Sequence, residues 1–234
     1  MNPWWQWQGE RDAVANSFCV IGVGRFGSAV CRELVRAGRE VLAIDLNQRA
    51  IDTLRQQEPG IECRIVDCTD EEALRDAGAL DVGTVVVAIS EPIEASITAT
   101  LIVRDSAGSQ VQQVISRATS DLHEKMLLRV GAHRVVFPSK MQGSRLGLEL
   151  VRPNLLDRLR LDANHSIEEI KVPPALVGRS LRDLNLRRNH AINVLAAGPP
   201  HQLQVNPPAS HVLAADELLV VIGRSEDLER LGRL

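Results

Sequence analysis

The sequence has 234 residues, 44% hydrophobic and 24% charged, which predicts a globular chain large enough to bury a core. Its formal net charge is −3 and tyrosine is absent, so neither a basic surface nor a platform of aromatic rings indicates nucleic-acid binding. No apolar run approaches the roughly 20 residues of a membrane-spanning helix, and the pattern of a secretory signal is missing at the start. We therefore expect a cytoplasmic protein without direct membrane insertion.

The cysteines and histidines favour neither a metal site nor a disulfide. The spacings of Cys19, Cys31, Cys63 and Cys68 match no redox or zinc motif, and the six histidines are scattered along the chain. Buried, reduced thiols are the favoured interpretation, which suits a reducing compartment. No metal ligand is predicted.

The first half of the chain alternates between apolar runs and segments of helical period. Residues 1–16 precede this pattern and are interpreted as a tail, although Trp4-Trp5-Gln6-Trp7 could also be an apolar peg on a partner. Strands with helices on both faces are continuously apolar, so residues 17–138 predict a Rossmann-type, doubly wound parallel sheet of α/β class. The predicted strands are 18–23, 41–44, 61–66, 84–89, 111–116 and 134–137, and the predicted helices are 26–37, 48–57, 70–76, 93–105 and 120–130.

Two helices are predicted after the sheet. Ser139 is expected to cap a helix over 139–151, and the spacing of four leucines predicts a second helix over 155–161. Because the sheet is already complete, the crossover region 139–163 is interpreted as a dimerisation arm. Residues 164–234 predict a small α+β domain with strands over 165–172, 191–197, 202–205 and 217–223 and helices over 180–186 and 225–231.

The strongest chemical signal is the loop Gly22-Val23-Gly24-Arg25-Phe26-Gly27, between the first strand and the first helix. The first glycine permits a tight turn, the second lets the backbone approach a diphosphate, and the third allows close helix–strand packing. Asp45 ends the second strand, where a carboxylate can accept hydrogen bonds from ribose hydroxyls. The segment therefore predicts an adenine-nucleotide site.

Polar residues after the other strands extend the predicted site. Arg25 leaves the loop beside the expected phosphates and Arg117 follows strand five, so both are candidate phosphate contacts. Asp67-Cys68-Thr69 and Ser90 follow strands three and four, where they would border adenine and ribose. The alternatives are solvated arginines, and helix capping by Asp67 or Thr69.

The sequence favours a binding protein over an enzyme. Without tyrosine, the Tyr/Lys pair of short-chain dehydrogenases cannot exist, and the region after residue 138 offers no paired acids and no His–carboxylate arrangement. No catalytic residue is therefore predicted. The alternative function is an NAD-dependent oxidoreductase, in which Asp45 would favour NAD over NADP.

Several segments resemble the RCK (regulator of potassium conductance) family, and among its members the Trk/Ktr-type subunits of potassium uptake systems. The resemblance covers nearly all of residues 17–232. It implies a cytoplasmic, nucleotide-sensing regulatory subunit at the inner face of the cell membrane. Such subunits dimerise through the helices after strand six, form a ring that is usually octameric, and gate a membrane potassium channel or transporter in response to ATP and ADP. The segments that carry it are 20–27, 40–45, 67–71, 86–89, 130–136, 183–186 and 216–223.

Position by position, the resemblance also implies the ligand contacts. The residues similar to the family's phosphate- and ribose-binding positions are Gly22, Gly24, Arg25, Phe26, Gly27, Asp45 and Asn47. The residues where the family lines the rest of the pocket are Asp67, Cys68, Ile89, Ser90 and Arg117. Related subunits can bind cyclic di-AMP at the dimer interface of the C-terminal domain, and the positions that match that site's general pattern are Leu181, Arg182, Arg187 and Asn193.

One position departs from the family pattern. Ktr-type members often carry a glutamate just after the proline that ends strand six, where it helps a cation sit near the terminal phosphate. This chain reads Phe137-Pro138-Ser139-Lys140, and a hydroxyl is a weak replacement for a carboxylate in holding a hard cation. Discrimination between ATP and ADP by that route is therefore not expected, and NAD(H) and AMP remain candidate ligands.

Overall fold

The computed structural model describes residues 16–233, so residues 1–15 of the predicted tail, which include its tryptophans, lie outside the described residues. Contacts divide the chain into one compact unit that ends at Lys140 and a second that begins at Met141. Among the described residues, no helix is both long enough and apolar enough to cross a membrane.

The first unit is a six-stranded parallel sheet in the order β3-β2-β1-β4-β5-β6. This is the strand order of a classic dinucleotide-binding fold, and it confirms the predicted Rossmann-type architecture. The strands are β1 Ser17–Ile21, β2 Glu40–Asp45, β3 Glu62–Ile65, β4 Thr84–Val87, β5 Gln113–Arg117 and β6 Arg134–Val136, and the helices between them are α1 Arg25–Arg36, α2 Gln48–Gln57, α3 Glu71–Asp76, α4 Ile93–Asp105 and α5 Asp121–Arg129.

Both faces of this sheet are buried, as its apolar strands predict. In β1, Cys19 and Ile21 belong to one core cluster, and Val20, which points to the opposite face, belongs to another. All four residues of β4 are buried. Burial raises the pKa of the Cys31 thiol to about 12, so this thiol is protonated at neutral pH. All four cysteines are free.

Three helices of the first unit begin next to a residue whose side chain caps them. The side chains of Asn47, Asp70 and Ser120 accept backbone N–H groups of α2, α3 and α5. Helix α1 differs, because its N-cap is Gly24 and no side chain caps it. The N–H groups of its first turn therefore stay available to a ligand.

Helix α6, Pro138–Val151, follows β6 and contains residues of both units. It begins one residue before the predicted start, with proline in its first turn, where the missing N–H costs nothing. The prediction that Ser139 precedes and caps this helix is therefore wrong. No side chain of α6 is buried.

The second unit has a five-stranded antiparallel sheet in the order β10-β9-β11-β8-β7. It confirms the predicted small α+β fold, although its sheet begins with β7, before the predicted domain start at residue 164. Its elements are β7 Leu155–Arg160, β8 His165–Lys171, a 3-10 turn Pro174–Leu176, α7 Leu181–Leu184, α8 Leu186–His190, β9 Asn193–Gly198, β10 Gln204–Val205, β11 Leu218–Arg224 and α9 Ser225–Leu231.

The predicted second crossover helix over 155–161 is wrong, because these residues form strand β7. Antiparallel pairing with β8 sets Leu159 opposite Ile167 and satisfies the backbone groups that a helix would have paired internally. The leucine spacing misled the prediction, since a register irregularity between Leu155 and Asp157 breaks the alternation of the strand. Only Leu155 of the four leucines is buried.

Two residues with left-handed backbone conformation place the ends of helices and strands differently from the prediction. The predicted helix over 180–186 is split into α7 and α8 by Asn185, whose φ is 43°. Ala191 has φ of 56°, so β9 starts at Asn193, two residues later than predicted. Asparagine adopts this conformation readily, whereas alanine does so with strain.

Candidate functional site

A cavity of about 950 Å³ opens where the parallel strands of the first unit end. The carboxyl edge of a doubly wound sheet is the usual place for a nucleotide, and the volume lies within the range of ligand pockets. The cavity is lined by Ile21, Gly22, Gly24, Arg25, Phe26, Ile44, Asp45, Leu46, Asn47, Val66, Asp67, Cys68, Thr69, Ala88, Ile89, Ser90, Glu91, Pro92, Ala95, Arg117 and Ser139.

The three glycines of the loop have different steric surroundings. Gly22 has φ of +93°, and a Cβ there would lie 3.0 Å from Ile89 Cγ1. A Cβ added at Gly24 would meet no atom within 4 Å, so its backbone faces open space at the cavity. Gly27 lies against Gly22, because an added Cβ would come within 1.9 Å of the Gly22 carbonyl oxygen. The turn at Gly22 and the packing at Gly27 agree with the sequence-based expectation, and the open space at Gly24 is compatible with the expected approach of a diphosphate.

Asp45, at the end of β2, forms a hydrogen bond with the backbone of the glycine loop. Its Oδ2 accepts the N–H of Val23 at 2.8 Å, and its Oδ1 accepts the N–H of Asn47 at 2.8 Å. Each carboxylate oxygen keeps a further lone pair, so Asp45 can also accept from a ribose hydroxyl. Asn47 caps α2 by accepting the N–H of Arg49 at 3.0 Å, a role that the sequence analysis did not assign to it.

Asp67 and Thr69 form a local turn at the end of β3. Asp67 Oδ1 accepts both the hydroxyl of Thr69 at 2.7 Å and its N–H at 2.9 Å. These two hydrogen bonds lower the pKa of Asp67, so it presents a carboxylate to the cavity at neutral pH. The cap of α3 is Asp70, and the alternative in which Asp67 or Thr69 caps that helix is wrong.

Cys68 lies half-buried beside this turn. Burial, and next the charge of Asp67, raise the pKa of its thiol to about 11. The thiol is therefore protonated at neutral pH and is a poor nucleophile. Ser90, at the end of β4, also lines the cavity.

The two predicted phosphate contacts differ in their surroundings. Arg25 is exposed at the start of α1. Arg117, the last residue of β5, is half-buried, and its guanidinium carbon lies 5.5 Å from the centre of the Phe26 ring. In the part of the chain that the structure describes, its Nε is buried without a hydrogen-bond partner.

The structure thus brings together every residue predicted for the nucleotide site except Gly27, which packs behind the loop instead of lining the cavity. Sequence reasoning missed one acidic residue, Glu91, and the apolar residues that complete the wall. Most of them lie at or just after the ends of strands or near the start of α4, so strand boundaries drawn accurately would have identified them. The missed apolar residues are Ile21, Ile44, Leu46, Val66, Ala88, Pro92 and Ala95.

The residues predicted for a second ligand lie in the second unit on three elements. Leu181 and Arg182 begin α7, Arg187 belongs to α8, and Asn193 begins β9. Arg182, Arg187 and Asn193 are exposed. Within residues 16–233, no hydrogen bond joins their side chains, so cyclic di-AMP binding here stays a prediction.

The walls of the cavity combine acidic, basic and apolar side chains. No histidine or lysine is among its lining residues. Across residues 16–233, no group of three His, Cys, Asp or Glu side chains could hold a metal ion. What the walls do offer is a hydrogen-bonding edge for sugars, two arginines for anions, and apolar surface for a base.

Comparison with known proteins identifies the family. The chain matches the TrkA-N domain over residues 18–138 and the TrkA-C domain over residues 167–234. Ktr system potassium uptake protein C of Bacillus subtilis (strain 168) is 35% identical to it, over 92% of this chain and 96% of that protein. Ktr system potassium uptake protein A of the same organism is 30% identical, over 91% of this chain and 94% of that protein.

A solved structure shares the fold. The GsuK channel bound to NAD superposes with a TM-score of 0.65 at 20% identity, over 94% of this chain and 39% of that chain. The two Ktr proteins are named for potassium uptake, which agrees with the prediction of a regulatory protein of potassium transport and not of an enzyme. The chain belongs to the RCK family, as a Trk/Ktr-type subunit of potassium uptake.

Proposed function

We propose that this protein is a cytoplasmic regulatory subunit that binds an adenine nucleotide and thereby gates a membrane potassium channel or transporter. Membership in the Trk/Ktr-type family supports the link to potassium uptake. The binding function is argued from the cavity of the first unit. By this proposal the protein lies at the inner face of the membrane, held there by its transport partner.

The observation that carries the proposal is the cavity over the uncapped start of α1. Gly24 leaves open space there, and the free N–H groups of the first helical turn offer positive potential to phosphate oxygens. Arg25 and Arg117 line the same cavity, where guanidinium groups can hold phosphate in bidentate hydrogen bonds. A nucleotide whose phosphates bind there would have its ribose near Asp45.

The residue at position 139 bears on whether a divalent cation is needed for nucleotide binding. Ser139 lines the cavity at the position where Ktr-type members often have glutamate. A hydroxyl cannot hold a hard cation as a carboxylate does, so we propose that ATP and ADP bind without a strong requirement for a divalent cation. NAD is the second candidate, because GsuK, which has the same fold, has been solved bound to NAD.

The test is calorimetric titration of the full chain with ATP, ADP, AMP and NADH, each with and without Mg²⁺. We expect binding of at least one adenine nucleotide at one per chain, with little effect of Mg²⁺. Arg25→Ala should weaken ADP binding by about 1.5–3 kcal/mol, the scale of a charge-assisted hydrogen bond, and AMP binding less. Arg36→Ala, an exposed arginine at the far end of the same helix, is the matched control and should leave binding unchanged.

Two outcomes would contradict the proposal. No heat with any of the four nucleotides, from folded protein, would refute nucleotide binding. Equal losses of AMP and ADP affinity in Arg25→Ala would show that Arg25 does not contact the distal phosphate.

The gating role needs a second measurement, which is potassium uptake in cells that lack their own regulatory subunit. Uptake should be restored by the wild-type chain and not by Gly24→Ala.

We also propose that the functional form is a dimer that assembles into an octameric ring, as the family resemblance implies. The support from the structure is helix α6, which buries none of its side chains. Met141, Leu146, Leu150 and Val151 are all more than half exposed on it. Apolar surface of this kind on one helix is typical of an interface between subunits.

A further inference from the structure

Arg117 lines the nucleotide cavity without any acceptor of its own. It ends β5, and its Nε is buried with no hydrogen-bond partner among residues 16–233. No described carboxylate forms an ion pair with it, although Asp45, Asp67 and Glu91 line the same cavity. A buried N–H without an acceptor is destabilising. An anionic group in the cavity would satisfy it.

The carboxylates of the cavity are held by other donors. Asp45 accepts the backbone N–H groups of Val23 and Asn47, and Asp67 accepts the hydroxyl and N–H of Thr69. These contacts hold the carboxylates within their own turns, and among the described residues neither of them forms an ion pair with Arg117.

The contact that does hold Arg117 is aromatic. The Phe26 ring lies 5.5 Å from the guanidinium carbon, within the range of a cation–π interaction. Phe26 is half-buried at the start of α1 and packs against the core cluster of the first unit. The ring is therefore fixed by the fold, and it orients the arginine without consuming any of its N–H donors.

We propose that Phe26 is a positioning residue for Arg117, and that the pair responds to the number of phosphates on the nucleotide. The proposal rests on the proposed nucleotide binding and adds its specificity determinant. An aromatic face leaves all the guanidinium N–H donors free, whereas a carboxylate partner would take them. A second phosphate therefore meets an arginine that is already oriented and still unpaired.

A second cation–π contact in the same unit supplies the matched control. Lys140 Nζ lies 5.6 Å from the centre of the Phe137 ring, and neither residue lines the cavity. Lys140 also pairs with Asp121 at 2.9 Å. Phe137→Leu thus removes an aromatic ring of the same type, at a similar distance from a cation, from a position that does not line the cavity.

The experiment is calorimetric titration of the full chain with ADP and with AMP, for wild type, Phe26→Leu, Phe26→Tyr, Phe137→Leu and Arg117→Gln. Phe26→Leu should weaken ADP binding about fivefold, the scale of a partly buried cation–π contact, and AMP binding by less than about twofold. Phe26→Tyr keeps the ring and Phe137→Leu keeps the pair, so both should stay within about twofold of wild type. In a protein that already carries Arg117→Gln, adding Phe26→Leu should change ADP binding by less than about twofold. The effects of substitutions at two residues in contact are not additive when one residue acts through the other.

Several results would overturn the proposal. A loss in Phe26→Leu that is equal for ADP and AMP, equal to that of Phe137→Leu, or fully additive with Arg117→Gln would show that Phe26 acts only through packing. If Phe26→Leu does not fold, Phe26→Met keeps the apolar volume without the aromatic face and gives the same expectations. Failure of the folded wild type to bind ATP, ADP, AMP and NADH in the titrations described above would instead refute the proposed nucleotide binding itself, so the two failures are distinguishable.

Discussion

The second unit contains a buried ion cluster around Glu168 whose disruption should be costly. Glu168 is fully buried in β8, and its carboxylate accepts two hydrogen bonds from Arg152, at 2.7 and 3.1 Å. Arg158 Nε lies 3.4 Å from the same carboxylate. The side chains of Arg152 and Arg158 are only 11% and 21% exposed, so the surrounding solvent screens these charges weakly.

The perturbation is Glu168→Gln, which keeps the shape and removes the charge. Two guanidinium groups would then stay largely buried without their counter-ion. Breaking a buried ion pair from one side costs about 3–5 kcal/mol, because the remaining charge is uncompensated. Glu169→Gln, the next residue of the same strand, is half-exposed and has no ion pair among the described residues, so it should cost less than about 0.5 kcal/mol.

The assay is urea unfolding followed by far-UV circular dichroism, combined with hydrogen exchange of the peptide that covers β8. Exchange is needed because two compact units can unfold separately, and a single transition would then misstate the free energy. We expect faster exchange in β8 for Glu168→Gln and an unchanged exchange rate for Glu169→Gln. A loss below about 1 kcal/mol for Glu168→Gln, or equal losses for both variants, would show that Glu168 does not compensate the charges of the two buried arginines.

Two further predictions concern the glycine loop and the assembly. Gly27→Ala should destabilise the first unit by more than about 2 kcal/mol, because its Cβ would lie 1.9 Å from the Gly22 carbonyl oxygen, whereas Gly24→Ala should leave thermal unfolding unchanged and abolish calorimetric nucleotide binding. Equal melting shifts for the two variants would contradict this division of roles. Light scattering should give at least a dimer of the 25.7 kDa chain. Leu150→Glu, on the exposed face of α6, should weaken this association. A stable wild-type monomer at micromolar concentration would refute the proposed interface.

The glycine loop could be predicted from the sequence because its requirements are local. Gly22, Gly24 and Gly27 lie within one strand–turn–helix unit, and the motif follows from the turn at Gly22 and from the close approach of Gly27 to the Gly22 carbonyl oxygen. The parallel sheet was predictable for a related reason, since strands buried on both faces show no alternation. The caps at Asp70 and Ser120 are also local, although the sequence analysis did not identify them.

Strand β7 could not be predicted in this way. Its identity depends on pairing with β8, and leucine spacing alone favours a helix equally well. Glu168 was missed for a similar reason, because the buried face of β8 carries Ser166, Glu168 and Ile170. A glutamate on the inner face of a strand is acceptable only when distant residues supply its partners. Arg152, 16 positions earlier, is such a partner.

Arg117 shows what the fold adds to a residue that the sequence had already selected. A solvated side chain and a phosphate contact were equally open, because nothing near it along the chain decides between them. The fold adds Phe26, which the parallel sheet brings beside the end of β5. Phe26 belongs to the first turn of α1, where we propose that the phosphates bind, so a shift of this turn would move the ring under Arg117 with it. By this proposal, phosphate binding at the glycine loop and charge recognition by Arg117 are linked through one aromatic ring.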